Sequence, residues 1–474
     1  MPPSDPTALS AGTLSSALAA GELSAAALME ATLARIDAVN PTLNAIIALR
    51  PRAELMAEAE AADTIPRRGW LHGIPIAVKD LADTAGLRTT YGSPLFAEHV
   101  PDADDPFVAR MRAAGAIIIG KTNTPEWGLG SHSFNPVSGT TLNAFDHARS
   151  AGGSSGGAAV ALASRMLAVA DGSDMMGSLR NPAAWNDVYG MRPTWGLVPG
   201  KPDGDLFLNQ LATDGPMARN PRDLAALLDV MAGPHPLQPL SRPPPGPFTK
   251  AFDAPFAGAR IGWIGGWAGR YPLEEGVSAL CEAALDGLAA AGCSVEPVVP
   301  DFDPEVLWHA WLTLRGLAVA GKLGPLHTDP ETRAQLKPEA VWEVERGLGL
   351  SGQEVQAASA RRSDWYRSLA GLFSRFDALA LPSAQCFAFP AEWRWPETLA
   401  GRSMDTYHRW MEVVVPASLV GVPAISVPAG FDSRGLAMGV QLIGPAGGDG
   451  ALLRLAEAAR AAGVGPESGG SWAG

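Results

Sequence analysis

Leu14, Leu18, Leu23, Leu28, Leu33 and Ile36 fall on a stripe of roughly helical spacing with alanines between them, which predicts helices over the first fifty residues. Gly21 and the Asn40-Pro41 pair predict breaks between short helices. From Gly73 the pattern shortens. Ile74 to Val78 and Ala116 to Gly120 are brief apolar runs bounded by Gly, Pro or polar residues, and they predict buried strands. Arg110 to Gly115 predicts a helix closed by a glycine cap. Residues 138 to 157, rich in Gly, Ser, Thr and Asn, predict loop, and Gly157 to Leu167 predicts a helix of small residues.

The second half repeats the α/β texture. Strands are predicted at Arg260 to Ile264, Ser294 to Val299, Ala378 to Leu381, Ala424 to Val427 and Leu436 to Ile443. Helices are predicted at Glu274 to Ala291 and at Ala451 to Ala462, the latter stopped by Gly463 and followed by a tail with the composition of a mobile end. Pro234 to Pro247 (PHPLQPLSRPPPGP) predicts an extended surface linker. The alternation predicts an α/β fold. The strands on the two sides of the linker fit one mixed sheet or two domains, and the pattern alone does not choose.

Composition narrows the function. The chain has 474 residues, 53 of them Gly and 41 Pro, so turns abound. A net charge of −13 argues against a nucleic-acid partner, which needs a basic face. The apolar stretch from Gly156 to Ala170 is interrupted by Ser164 and Arg165 and is too short to span a bilayer, so no membrane association is expected. The N-terminus has neither the basic nor the apolar region of a secretory signal. Cys281, Cys293 and Cys386 are odd in number and lack metal-type spacing, which fits reduced thiols in a cytoplasmic protein.

Three segments carry candidate chemistry. Gly152 to Gly157 (GGSSGG) and Asp174 to Arg180 (DMMGSLR) are glycine-containing serine segments, and Lys79 ends the apolar run GIPIAVK. A lysine at the end of a buried strand is costly unless paired or neutral. Taken singly, the serines fit ordinary loops or a helix cap and Lys79 a strand-end charge. Together they supply a potential base, a proton relay, a nucleophile and flexible backbone beside it. A serine hydroxyl needs an adjacent base to become nucleophilic, and burial can bring a lysine from about 10.4 to roughly 7–8, where it can serve.

These segments, with GIPIAVKDLADTAGLRTTYGS (Gly73 to Ser93), GKTNTPEW (Gly120 to Trp127), SDMMGSLRNPA (Ser173 to Ala183), GVPAISVPAG (Gly421 to Gly430) and GVQLIGP (Gly439 to Pro445), resemble the amidase signature family from about Leu14 to Ala462. Their order and spacing carry the resemblance. It implies a single domain over residues 1–474, with a large mixed β-sheet flanked by α-helices on both sides. The signature core would span about 65–200, and the C-terminal half, about 258–463, would contribute pocket walls. It also implies a triad in which Lys79 is the base, Ser154 a bridging serine with a cis peptide bond, and Ser178 the nucleophile, 24 positions after Ser154. Backbone N–H groups of Met175, Met176, Gly177 and Ser178 would form the oxyanion hole, supported by Ser155, Asp174 and Arg180. The implied reaction is hydrolysis of a linear amide through an acyl-enzyme, with aryl amides, esters and carbamates within reach. No metal or organic cofactor is implied, and the partners are a small-molecule substrate and water.

Two positions depart from the family. Met176 stands where glycine is usual, which adds apolar bulk beside the nucleophile, and Ser418 stands where asparagine is common, which questions any polar contact there. Two competing readings are carried forward. Gly152 to Gly156 also fits the G-x-S-x-G elbow of α/β-hydrolases, with Ser154 attacking and a partner among His235, His309, His327 and His408. The family also includes the partner-dependent glutaminase component of amidotransferases. Against a small polar glutamine pocket stand Met176 and the tryptophans Trp308, Trp311, Trp342, Trp365, Trp393, Trp395 and Trp410; aromatic-rich loops of the second half are expected to set specificity, while each tryptophan singly is expected in the core more often than in the pocket.

Overall fold

The computed structural model describes residues 5–465, so the expected mobile tail after Gly465 lies outside the described residues. Strands β1 (Ile46–Ile47), β2 (Pro75–Lys79) and β3 (Ile117–Thr122) form a small sheet in the order β1-β3-β2, with β2 parallel and β1 antiparallel to β3. Every residue of β2 and β3 is buried, which is why the stretches before Lys79 and Lys121 read as apolar runs rather than alternating ones.

The main sheet comprises β4 (Val169–Asp174), β5 (Tyr189–Arg192), β6 (Thr213–Ala218), β7 (Arg260–Trp263), β8 (Ser294–Pro297), β9 (Ala378–Pro382), β10 (Ala424–Phe431) and β11 (Ala437–Ile443). Its order is β8-β7-β9-β11-β10-β5-β6-β4. Pairs β8–β7 and β7–β9 are parallel and the others antiparallel. Strands from before and after the Pro-rich segment therefore share one mixed sheet, which answers the question the sequence left open. Helices flank it: Arg180–Trp185 packs on β10 and β11, Pro221–Met231 on β6, and Val277–Ala290 with Asp449–Ala461 on β10. Residues 234–247 form neither helix nor strand and are largely exposed. Among the described residues no helix is long and apolar enough to cross a membrane.

Two predicted boundaries move. The expected break at Asn40-Pro41 is absent, because the helix Ala25–Leu43 runs through Pro41 to a left-handed Asn44. Pro41 sits in the last turn and forfeits one N–H donor to the turn before it, and the Asn40 side chain accepts from the Ala45 and Ile46 N–H groups to tie the exit. The helix expected to reach Leu167 is instead Gly156–Ala163. There the Ser164 hydroxyl bonds back to the Val160 carbonyl and Arg165 turns to φ 61°. A block of long helices, Pro304–Thr328, Pro338–Leu348 and Gly352–Phe373, packs on itself between β8 and β9 in sequence and was not foreseen.

Candidate active site

Lys79 is carried into the interior by β2. Its register with Thr122 fixes one side, and its own N–H donates to the Asp171 carboxylate of β4 at 3.2 Å on the other. The amino group is surrounded by neutral oxygens. Nζ lies 2.7 Å from Ser154 Oγ, 2.8 Å from Ser155 Oγ and 3.0 Å from Ser173 Oγ, with the Ser173 carbonyl at 3.3 Å. Lys79 is 1% exposed. Desolvation outweighs the attraction of Asp171, Asp214 and Asp174, and pulls its pKa down to about 7.

The Gly153–Ser154 peptide is cis. Ser131 Oγ donates to the Gly153 carbonyl at 2.5 Å, and a Cβ on Gly153 would come within 2.9 Å of the His132 nitrogen, so the loop leaves no room for another residue. Ser155 sits just before the helix Gly156–Ala163, and its N–H donates to the Ser178 carbonyl at 3.2 Å, which ties the two serine segments together. Ser178 itself precedes the short helix Arg180–Trp185. Ser154 and Ser178 line one cavity of about 350 Å³ together with Lys79. Ser178 Oγ makes no hydrogen bond to Ser154 here, and its hydroxyl faces that cavity.

The loop between Asp174 and Ser178 is braced by Asp174, which is fully buried. Its carboxylate takes two hydrogen bonds from Arg180 at 3.0 Å and lies 3.3 Å from Arg192. Burial alone would raise its pKa, but the two guanidinium groups more than reverse this and hold the carboxyl well below the usual range. Of the four N–H groups expected in an oxyanion hole, that of Gly177 is withdrawn, since it donates to Asp174 Oδ1 at 2.9 Å. Gly177 adopts φ 77°, and a Cβ there would lie 2.8 Å from Asn181 Oδ1, so this turn requires glycine. The N–H groups of Met175, Met176 and Ser178 have no partner among the described residues. Ser418, expected to put a polar contact in doubt, makes one: its hydroxyl accepts from Arg180 Nη2 at 2.7 Å.

Met175, Met176, Trp127, Leu129, Val319 and Leu323 are among the apolar residues of the lining, and Met176 is almost wholly buried. The C-terminal tryptophans are not part of it. Trp308, Trp311, Trp365 and Trp410 are core residues, and the cavity's indoles are Trp127 and Trp195 from the first half. Large rings bury most area in the interior, and the helical block takes up Trp308, Trp311 and Trp365. The histidines of the elbow reading are also absent from the lining. Sequence reasoning missed Ser131, Asp171, Ser173, Arg192 and Arg315. Ser173 was within reach, because it sits one residue before Asp174 in the segment already singled out.

The profile of the Amidase family matches residues 27–453. A glutamyl-tRNA(Gln) amidotransferase component chain of Thermus thermophilus is 37% identical over 461 residues, covering 93% of this chain and 94% of that one. An acylamidase of Rhodococcus erythropolis is 33% identical over 458 residues, 94% of each chain. Among solved structures, a bacterial aryl acylamidase of the amidase signature family superimposes with a TM-score of 0.89 at 26% identity over 96% of both chains. On these similarities and this fold, the chain belongs to the amidase signature family and is an enzyme that hydrolyses carbon–nitrogen bonds.

Proposed function

We propose that this enzyme hydrolyses linear carboxylic amides, aryl amides foremost, through a Ser178 acyl-enzyme. The observation that carries the reading is the buried Lys79 amine 2.7 Å from Ser154 Oγ, with a pKa near 7. Uncharged Lys79 takes the Ser154 proton as Ser154 takes that of Ser178. Ser178 then attacks the acyl carbon, and the developing oxyanion is met by the N–H groups of Met175, Met176 and Ser178, each donor worth about 2.7–4 kcal/mol. The proton returns through Ser154 to the leaving amine, and water repeats the sequence in reverse to free the acid. The Ser154–Ser178 hydrogen bond forms once substrate is seated, since such contacts are often loose in the free enzyme. Esters and carbamates present the same acyl carbon and fall within the same chemistry.

The apolar part of a lining that also holds Asp203, Asp205, Asp214, Lys201 and Lys322 supports an acylamidase, in keeping with the likeness to the aryl acylamidase structure and the Rhodococcus enzyme. The 37% identity to an amidotransferase component favours a second reading, a glutaminase working with partner chains. The isolated chain is to be assayed on a p-nitroanilide, a primary amide, an ester, a carbamate and glutamine. Hydrolysis of the anilide without a partner is expected. Turnover of glutamine alone, and only when partner chains are added, would replace this reading with the second.

A further inference from the structure

One wall of the cavity is a single helix face. Arg315, Ala318, Val319, Lys322 and Leu323 all belong to the helix Pro304–Thr328 and recur at helical spacing along the lining. The two ends of that face meet different parts of the site. Val319 and Leu323 pack with Leu129, and a Cβ on neighbouring Gly128 would lie 3.5 Å from Ser154 Oγ. Arg315 lies at the other end, with Nη1 3.3 Å from the Met175 sulfur. On the mechanism proposed above, the leaving amine takes its proton from Ser154 and so lies at the Val319–Leu323 end. The acyl chain then runs toward Arg315.

Arg315 is a buried cation whose charge is already matched. Nε donates to Glu343 Oε1 at 2.5 Å, Nη2 donates to the Tyr407 hydroxyl at 2.8 Å, and that hydroxyl donates to the same Glu343 oxygen at 2.8 Å. His408, 4.0 Å from Glu343 Oε1, is kept neutral by burial and adds no charge. Arg315 lines the cavity, and its Nη1, unlike Nε and Nη2, has as its partner among the described residues only a thioether, a weak acceptor. The group thus offers a strong, fixed donor with no net charge.

We propose that Arg315 is a specificity residue that selects acyl groups bearing a neutral hydrogen-bond acceptor, such as a ketone, ester or amide carbonyl, and disfavours acyl groups ending in a carboxylate. A neutral acceptor gains a charge-assisted hydrogen bond. A carboxylate at Arg315 would bring an unmatched negative charge beside the balanced Arg315–Glu343 pair, and its desolvation goes uncompensated; Lys322, two turns along the same face, is exposed and meets the Tyr91 ring instead. The proposal rests on the amidase reading, and its test separates the two.

Three p-nitroanilides of matched length serve as probes: hexanoyl, 5-oxohexanoyl and glutaryl. In the native enzyme, kcat/KM for 5-oxohexanoyl should exceed that for hexanoyl by about tenfold to a hundredfold, and glutaryl should fall below 5-oxohexanoyl. Arg315→Leu should bring the 5-oxohexanoyl to hexanoyl ratio near one. Glu343→Gln should unmask the arginine charge and raise the glutaryl to hexanoyl ratio about tenfold. A native ratio near one, a native preference for glutaryl, or a Glu343→Gln enzyme with an unchanged glutaryl ratio overturns the proposal. If either variant fails to fold, the native ratios decide. If no anilide is cleaved, the amidase reading falls, and calorimetric binding of 5-oxohexanamide against hexanamide to the native protein and to Arg315→Leu decides for Arg315.

Discussion

Lys79 Nζ and Ser154 Oγ lie 2.7 Å apart, although 75 positions separate the two residues in the chain. The contact joins the end of a buried parallel strand to a glycine-lined loop. It gives the lysine a hydroxyl partner in place of a carboxylate, so the amine can rest uncharged near neutral pH.

Activity should therefore rise with pH through about 7, as Lys79 loses its proton. Lys79→Ala should lower kcat by several orders of magnitude. Lys79→Arg should be nearly as damaging, because a guanidinium stays protonated. A pH–rate profile of the native enzyme and both variants checks this. A near-native Lys79→Arg enzyme would reduce the side chain to a structural cation.

The same group links pH to stability. Its pKa falls from 10.5 to about 7 on folding, so between these values the unfolded chain binds more protons. Stability contributed by this site then rises with pH across that window and is lowest below 7. Lys79→Met should flatten that slope in denaturant titrations at pH 6.5 and 9. An unchanged slope would mean that the lysine is as hydrated in the native state as in the unfolded one.

Ser178→Ala should abolish hydrolysis with a thermal midpoint close to native, since this small side chain makes no hydrogen bond among the described residues. An acylating serine probe followed by peptide mass mapping should find the label on Ser178. Label on Ser154 would return the elbow reading to the front.

Asp174→Asn should be among the most damaging changes to stability, by roughly 3–5 kcal/mol, because it leaves Arg180 and Arg192 buried with their shared charge partner removed. It should also lower kcat by releasing the Gly177 turn. Because the native carboxyl is depressed, its contribution is complete above about pH 4 and is lost only in stronger acid. Urea unfolding at pH 7 measures the first effect. A loss under 1 kcal/mol would show that the pair is relieved by local rearrangement.

Met176→Gly should open the cavity wall while removing a packed side chain, with a stability loss of roughly 2–5 kcal/mol. The oxyanion loop gains backbone freedom, so kcat should fall on every substrate, with a relative gain for bulky ones. The measurement is kcat/KM for a small and a bulky anilide on both enzymes. A ratio between substrates that does not move would remove Met176 from specificity.

What the sequence determined by itself is local. The unbroken apolar run before Lys79 announced a strand buried on both faces, and the glycines around Ser154 and beside Ser178 announced flexible loop backbone at the candidate serines. The order and spacing of these segments identified the family. Element ends such as Asn44 and Ser164 moved because capping bonds from side chains settled them.

What only the tertiary structure decided is which distant groups share a space. Burial lowers the lysine pKa, and that burial comes from four segments folding over one side chain. No periodicity near Arg192 says that it will share Asp174 with Arg180, or near Arg315 that Glu343 will cancel its charge. The tryptophans mark the same limit. Their number signalled aromatic-rich loops, with each ring singly more often core than pocket, but which ring fills the core and which faces the cavity depends on how the helices 304–373 dock, a long-range packing outcome that local sequence does not encode.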